Sequence, residues 1–305
     1  FKQKTAYEML RSLVGSEMCI RDRYNNRLIV TSITSLGPME VWDYNMHNSP
    51  NHNFCQGVIA KNCGEVPAPP YGACVLGSIN LAKFVHGDTF AWDELENIIE
   101  IGTRALLNVN VINVYPLTNI QKMMQDLNSI GLGFMGFADA LIMLGIYYDS
   151  KECLSFIDDV GKRYVSITNE IASDSFAKRS IAPTGSLSIL ADCSSGIEPV
   201  FARSYERHIT LGVIEEHRNI YESQYCRTAH EISPEWHLKV QAQWTKYTDQ
   251  GVSKTINCPA DTTVKDIRNI FVQAWKAGIK GVTVFRDSSK DGVYKAKCDD
   301  ATCML

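Results

Sequence analysis

Near the C-terminal end, Thr263-Val264-Lys265-Asp266 opens an amphipathic stretch like a loose capping box, Gly278 closes it, and a β-rich run follows at 281–285. Helix, glycine and strand in that order fit an α/β domain. Two longer stretches carry the same helical period. Trp92 to Leu107 places Trp92, Leu95, Ile98, Ile99, Gly102 and Leu106 on one face, and a second places Leu154, Ile157, Tyr164, Ile167 and Ile171 together. The surface those helices leave carries 30 basic and 34 acidic side chains, a net charge of −4, which argues against a nucleic-acid scaffold or a basic membrane patch. No apolar run reaches the ~20 residues of a membrane span, and no signal peptide is visible. Ten cysteines lack the even, dense spacing of a small secreted scaffold, so they read as thiols of a cytoplasmic protein with chemistry to do.

The N-terminal stretch has a different character. Residues 1–23 show no clean period and resemble translated sequencing adapters, so they are set aside as an artefact together with Cys19. Short extended runs follow at 27–33, 39–44 and 57–60, the pattern of a small all-β module. The sequence VWDYN, then NHNF, then GVIAKN before a cysteine resembles the C-terminal end of an intein over residues 24–62. That resemblance implies that the Asn62 carboxamide attacks its own carbonyl carbon, closing a succinimide and cutting the chain. The Cys63 thiol is then the nucleophile that accepts the upstream segment. Asp43 and His52 match the assisting positions, whereas Lys61 stands where the family carries a histidine. A hairpin extension of the following domain is the plainer reading of the same runs.

Past that junction, Cys63 and Cys74 flank a carboxylate, Glu65, in CGEVP and GACVLGSIN. Such a set offers redox partners with an acid/base group; a zinc site or buried inert thiols are the alternatives. The segment CGEVP…GACVLGSINLAKFV resembles the active-site region of the ribonucleotide reductase large subunit. The resemblance continues through NVINVYPL, GLGFMGFADALIMLGI, IAPTGSLSILADCSSGIEPVF, TAHEISPEWHLKVQAQWTKYTDQGVSKTIN and GIKGVTVFRDSSKDGV, in order, across 63–305. It implies the second half of a ten-stranded α/β barrel, preceded by the small all-β intein fragment. It also implies that Cys63 carries a thiyl radical, Glu65 takes the substrate's 3′-OH proton, and Cys74 belongs to the reducing dithiol. The family's Asn-Pro before the radical cysteine would come from a missing upstream half, joined to Cys63 by splicing. That half would also hold the partner thiol, the allosteric site and most of the cofactor surface, so this chain alone should be inactive.

Small and hydroxyl residues in Pro183-Thr184-Gly185-Ser186-Leu187 suit close approach of an anion to backbone N–H groups, or an ordinary N-cap turn. The resemblance places the substrate phosphates on Thr184, Gly185, Ser186 and Leu187. Cys298 and Cys303 lie five apart on a polar tail and match the mobile pair that passes electrons from a thioredoxin- or glutaredoxin-like reductant. Cys55, Cys153, Cys193, Cys226 and Cys258 read as structural. Relatives served by a separate di-metal, tyrosyl-radical subunit carry two adjacent tyrosines on a late strand, where this chain has Val284 and Phe285. The segment is therefore similar to the adenosylcobalamin-dependent form, whose cofactor generates the radical directly. The competing readings are a large subunit of the di-metal form, a self-processing chain with an inert reductase half, and a zinc-binding structural protein.

Overall fold

The structure is a computed structural model that describes residues 53–55, 58–60, 65–66, 68–209, 212–287 and 294–296. Asp43, His52, Asn62, Cys63, Cys298 and Cys303 lie outside the described residues, as do the extended runs read at 27–33 and 39–44. An antiparallel ribbon comes first, β1 (Asn53–Cys55) with β2 (Val58–Ala60), Asn53 opposite Ala60. β3 (Val75–Asn80) follows, then the short hairpin of β4 (Val85–His86) and β5 (Thr89–Phe90), and two helices, α1 (Trp92–Ile112) and α2 (Thr118–Leu127). The chain returns as β6 (Ile130–Met135), parallel to β3 with Val75 opposite Ile130. Helices α3 (Phe137–Met143) and α4 (Lys151–Ile171) lead to a short extended segment, 178–181.

That segment is the third parallel member. The Leu132 N–H donates to the Lys178 carbonyl at 3.0 Å, and the Ser180 N–H returns a bond to the Leu132 carbonyl at 2.9 Å. After α5 (Gly185–Leu190), an antiparallel pair β7 (Ser204–Ile209) and β8 (Gly212–His217), and α6 (Pro234–Thr245), the chain supplies the fourth member. Ile181 bridges Val252 in parallel, with the Ser253 N–H on the Ile181 carbonyl at 2.8 Å. This run continues into β9 (Thr255–Cys258), and α7 (Val264–Lys276) carries the chain over to β10 (Thr283–Arg286), parallel to β9. β11 (Tyr294–Ala296) pairs with β7. Five parallel segments in chain order, joined by helices, make the α/β reading correct.

The C-terminal expectations hold in detail. Thr263 Oγ1 receives the Asp266 N–H while Asp266 Oδ2 receives the Thr263 N–H at 3.0 Å, a reciprocal capping box. Gly278 turns at φ +73°, and the strand begins at Thr283 rather than 281. Helix α1 corrects the expected face and length. It runs on to Ile112, buries Thr103 beside Leu95, Ile99 and Leu106, and leaves Ile98 exposed. Thr103 enters the core because its hydroxyl donates to the Ile99 carbonyl at 2.7 Å, satisfying the polar group within the helix.

β6 sits at the centre of the core. All six residues of Ile130-Gly131-Leu132-Gly133-Phe134-Met135 are buried. Strand alternation sends Ile130, Leu132 and Phe134 to the helix side, where Phe134 meets Tyr164 and Trp244 with ring centroids 4.8 and 5.3 Å away. The other face carries Gly131 and Gly133 ahead of Met135. A Cβ on Gly133 would lie 2.1 Å from the Ser180 carbonyl oxygen, and one on Gly131 would lie 2.4 Å from Leu76 Cδ2. Gly133→Ala should therefore push 178–181 off β6 and destabilise the chain by about 3 kcal/mol. Urea unfolding of the full chain measures this; an unchanged midpoint would show that the two segments are not in such contact.

Candidate active site

Cys74 lies just before β3, so it stands at the N-terminal end of the parallel strands. The Gly131 face leaves room for it: a Cβ there would come within 3.0 Å of the Cys74 sulfur and 3.2 Å of Ser180 Cβ. Gln250, buried on the fourth segment, extends its side chain to the same place. Its Nε2 donates to the Ile130 carbonyl at 3.3 Å and lies 3.4 Å from the Cys74 sulfur, while Oε1 lies 3.6 Å from it. Glu65 reaches this region along a different path. Its carbonyl accepts the Gly251 N–H at 2.7 Å and the Ser180 hydroxyl at 2.8 Å. Burial pushes the Cys74 thiol above its ordinary range, the Gln250 hydrogen bond opposes that, and the Glu65 charge adds to it. Glu65 and Cys74 are thus brought to neighbouring segments, both close to Ser180.

A charged frame fixes these segments from behind. Asp249 accepts the Lys178 N–H at 2.9 Å and the Arg179 N–H at 3.2 Å, and also pairs with the Arg179 guanidinium. That guanidinium reaches Thr168 Oγ1 at 2.7 Å and Asn169 Oδ1 at 2.8 Å on α4. The Tyr164 hydroxyl donates to the Leu132 carbonyl. Lys280 donates to the carbonyls of Asp249 and Gln250, the latter at 3.1 Å. Apart from Arg179 Nε, which has no hydrogen-bond partner among the described residues, the buried polar groups of this frame are tied to partners, which helps a low-dielectric site keep one geometry.

The 184–187 loop follows the 178–181 segment, so it stands at the opposite, C-terminal end of the strands from Cys74. Thr184 adopts φ +53° and α5 starts at Gly185. Its side chain does not cap the helix; Thr184 Oγ1 instead accepts the Gly196 N–H at 2.7 Å. Ser188 and Ser195 hydroxyls meet at 2.7 Å, so the turn at 194–199 packs directly beneath the loop. The same turn sends Glu198 inward. The Lys254 ammonium, fully buried, donates to Glu198 Oε2 at 2.7 Å, His237 Nδ1 at 2.9 Å and the Thr255 carbonyl at 2.7 Å. All three of its donors are occupied. Glu198 Oε1 accepts the Thr255 N–H at 2.6 Å, and His237 Nε2 donates to the Ala229 carbonyl at 3.0 Å.

Of the cysteines read as structural, Cys153, Cys226 and Cys258 are buried, and burial raises the Cys226 and Cys258 thiols to about 11. Cys193 is half-buried, with its thiol raised to about 12 by the same cause. Among the described residues no helix is long and apolar enough to cross a membrane. Sequence reasoning missed Gln250, Asp249, Lys254 and His237. The signal available was TDQG followed by SKTIN, a polar run leading into a strand, where solvated loop residues would be the ordinary reading.

His237 gives a pH test of this frame. Burial and the adjacent Lys254 charge push it down to about 2, whereas an unfolded chain binds the proton near pH 6.5. The unfolded state therefore takes up more protons below pH 6.5, and this contribution is complete above that pH and lost as pH falls. The wild-type chain should lose about 2 kcal/mol from this group between pH 6.5 and 5. His237→Gln should flatten that part of the profile in urea unfolding; an unaltered slope would show that His237 is not buried neutral.

Residues 27–180 and 212–285 match the family described as ribonucleotide reductase, barrel domain. The matched residues include Glu65, Cys74, Gln-bearing 212–285 and most of 24–62, while 181–211, with the 184–187 loop, falls between the two blocks. A vitamin B12-dependent ribonucleoside-diphosphate reductase of Thermoplasma acidophilum is 36% identical over 290 residues, covering 75% of this chain and 37% of the relative. One from Mycobacterium tuberculosis (strain CDC 1551 / Oshkosh) is 34% identical over 286 residues, covering 75% and 41%. A ribonucleoside-diphosphate reductase subunit alpha of Chlamydia pneumoniae is 23% identical over 343 residues, covering 81% and 32%. The chain spans about two fifths of the length of the B12-dependent relatives.

Proposed function

The chain belongs to the ribonucleotide reductase barrel-domain family, and from that premise we propose that it supplies the reducing half of a reductase that converts ribonucleotides to 2′-deoxyribonucleotides. The observation that carries this reading is the placement of the Cys74 sulfur and Ser180 on the Gly131 face of β6, with Glu65 tied by its carbonyl to Ser180 and Gly251. In the proposed reaction a Cys63 thiyl radical removes the 3′-hydrogen and later returns it. Glu65 takes the 3′-OH proton, a general base acting on a sugar already activated at C3′, and gives it back to O3′ when the 3′-hydrogen returns. Cys74 and a partner thiol then supply two electrons and two hydrogens. One hydrogen leaves with the 2′-oxygen as water, the other ends on C2′, and the two sulfurs join as a disulfide. Cys298 and Cys303 return that disulfide to thiols with electrons from a thioredoxin- or glutaredoxin-like reductant. Thr184, Gly185, Ser186 and Leu187 would receive the substrate phosphates through backbone N–H groups.

Adenosylcobalamin is the proposed radical source, as the names of the Thermoplasma and Mycobacterium relatives support. β10, Thr283-Val284-Phe285-Arg286, carries no phenol to relay a radical along the strand from a separate subunit. When bound, the cofactor supplies the one-electron oxidising equivalent for the Cys63 thiol. Its binding surface is assigned to the upstream segment of the longer protein, and this chain's part is to hold the thiols and the base. The assembled reductase should form deoxyribonucleotide only with adenosylcobalamin, and Glu65→Gln should lower kcat at least about 100-fold. Turnover with a di-metal partner subunit and no cobalamin would overturn the cofactor assignment.

Residues 24–62 are proposed as the C-terminal end of an intein, on the strength of NHNF, the apolar run into Asn62, and the Asn62-Cys63 junction. The β1–β2 ribbon is compatible with a small all-β module. The family match across 27–62 favours a second reading, in which this stretch is native to the barrel domain. Incubation with an upstream intein half separates them. A ligated product that Asn62→Ala prevents supports splicing, and no ligation with the wild-type chain favours the second reading.

A further inference from the structure

Gln250 is a buried amide held at both ends. Its backbone N–H donates to the Arg179 carbonyl at 3.1 Å and its carbonyl accepts from Lys280 Nζ at 3.1 Å. Its side chain cannot drift either, because Nε2 is committed to the Ile130 carbonyl at 3.3 Å. That bond fixes which end of the amide is nitrogen and leaves Oε1 facing the Cys74 sulfur at 3.6 Å, with Nε2 at 3.4 Å. One amide therefore offers the sulfur an acceptor while it is a thiol and a donor once it is a thiolate or a disulfide sulfur. The thiol's own bond, to the Val75 carbonyl at 3.9 Å, is long and offers nothing to the deprotonated form. No other side chain is recorded in hydrogen-bond contact with this sulfur among the described residues.

We propose that Gln250 is the positioning residue for the Cys74 thiol, holding its sulfur on the Gly131 face in both the reduced and the oxidised state. This rests on the reading of Cys74 as a redox thiol. The amide bond also works against burial and against the Glu65 charge, both of which disfavour the thiolate. A thiolate is the form that exchanges with a disulfide, so the amide favours re-reduction as well as alignment.

The test is alkylation of Cys74 by iodoacetamide in the full chain, followed by peptide mapping. Gln250→Met keeps the length and removes the amide. It should slow Cys74 alkylation at pH 8 by about tenfold and move the midpoint of its pH profile upward, with Cys193 unaffected as an internal control. Gln250→Leu removes the amide without adding a charge and should slow it as much; it decides the matter if the methionine variant unfolds. Wild-type rates in a folded variant would overturn the proposal. In the assembled reductase, Gln250→Met should lower kcat with KM within about twofold of wild type. Slowed alkylation with unchanged kcat would leave the amide–thiol pair standing and overturn the redox role assigned to Cys74.

Discussion

The site depends on two missing side chains. Gly131 and Gly133 leave part of one face of β6 as bare backbone, so the 178–181 segment can lie where a Cβ on Gly133 would meet the Ser180 carbonyl. The same bare face leaves the space in which the Cys74 sulfur, Ser180 and the Gln250 amide converge. The opposite face compensates: Ile130, Leu132 and Phe134 bury in the main core, Phe134 against Tyr164 and Trp244, which anchors a strand that two glycines would otherwise weaken. One short strand thus carries both the packing and the clearance that the chemistry needs.

Around that strand the polar groups are arranged by distance from the sulfur. Asp249 and Arg179 lock the third and fourth parallel segments to α4, while Glu65 is drawn in by its carbonyl bonds to Gly251 and Ser180. At the far end of the strands, Lys254, Glu198 and His237 set the 194–199 turn under the 184–187 loop. Cys74 thus stands toward one end of the strands and the 184–187 loop toward the other.

Local chemistry was readable in the sequence and long-range chemistry was not. The capping box at Thr263 and Asp266, the turn at Gly278 and the strand after it involve neighbours in sequence, and all three are present. Ile98 was misplaced because a strict apolar period does not register that Thr103 can satisfy its own hydroxyl within the helix. Glu65 and Cys74 were singled out through a known family pattern. Gln250 was not, since its meaning lies in a contact with a sulfur 176 positions earlier. Lys254 likewise reads as a solvated charge until Glu198 and His237 are brought to it by the fold.

The central claim is that Cys74 is oxidised as substrate is reduced. A single turnover of the pre-reduced, assembled reductase, quenched by acid and mapped for disulfides, tests it most directly. The account predicts one disulfide that includes Cys74 for each deoxyribonucleotide formed. Product formed in that amount with Cys74 still a free thiol would contradict it.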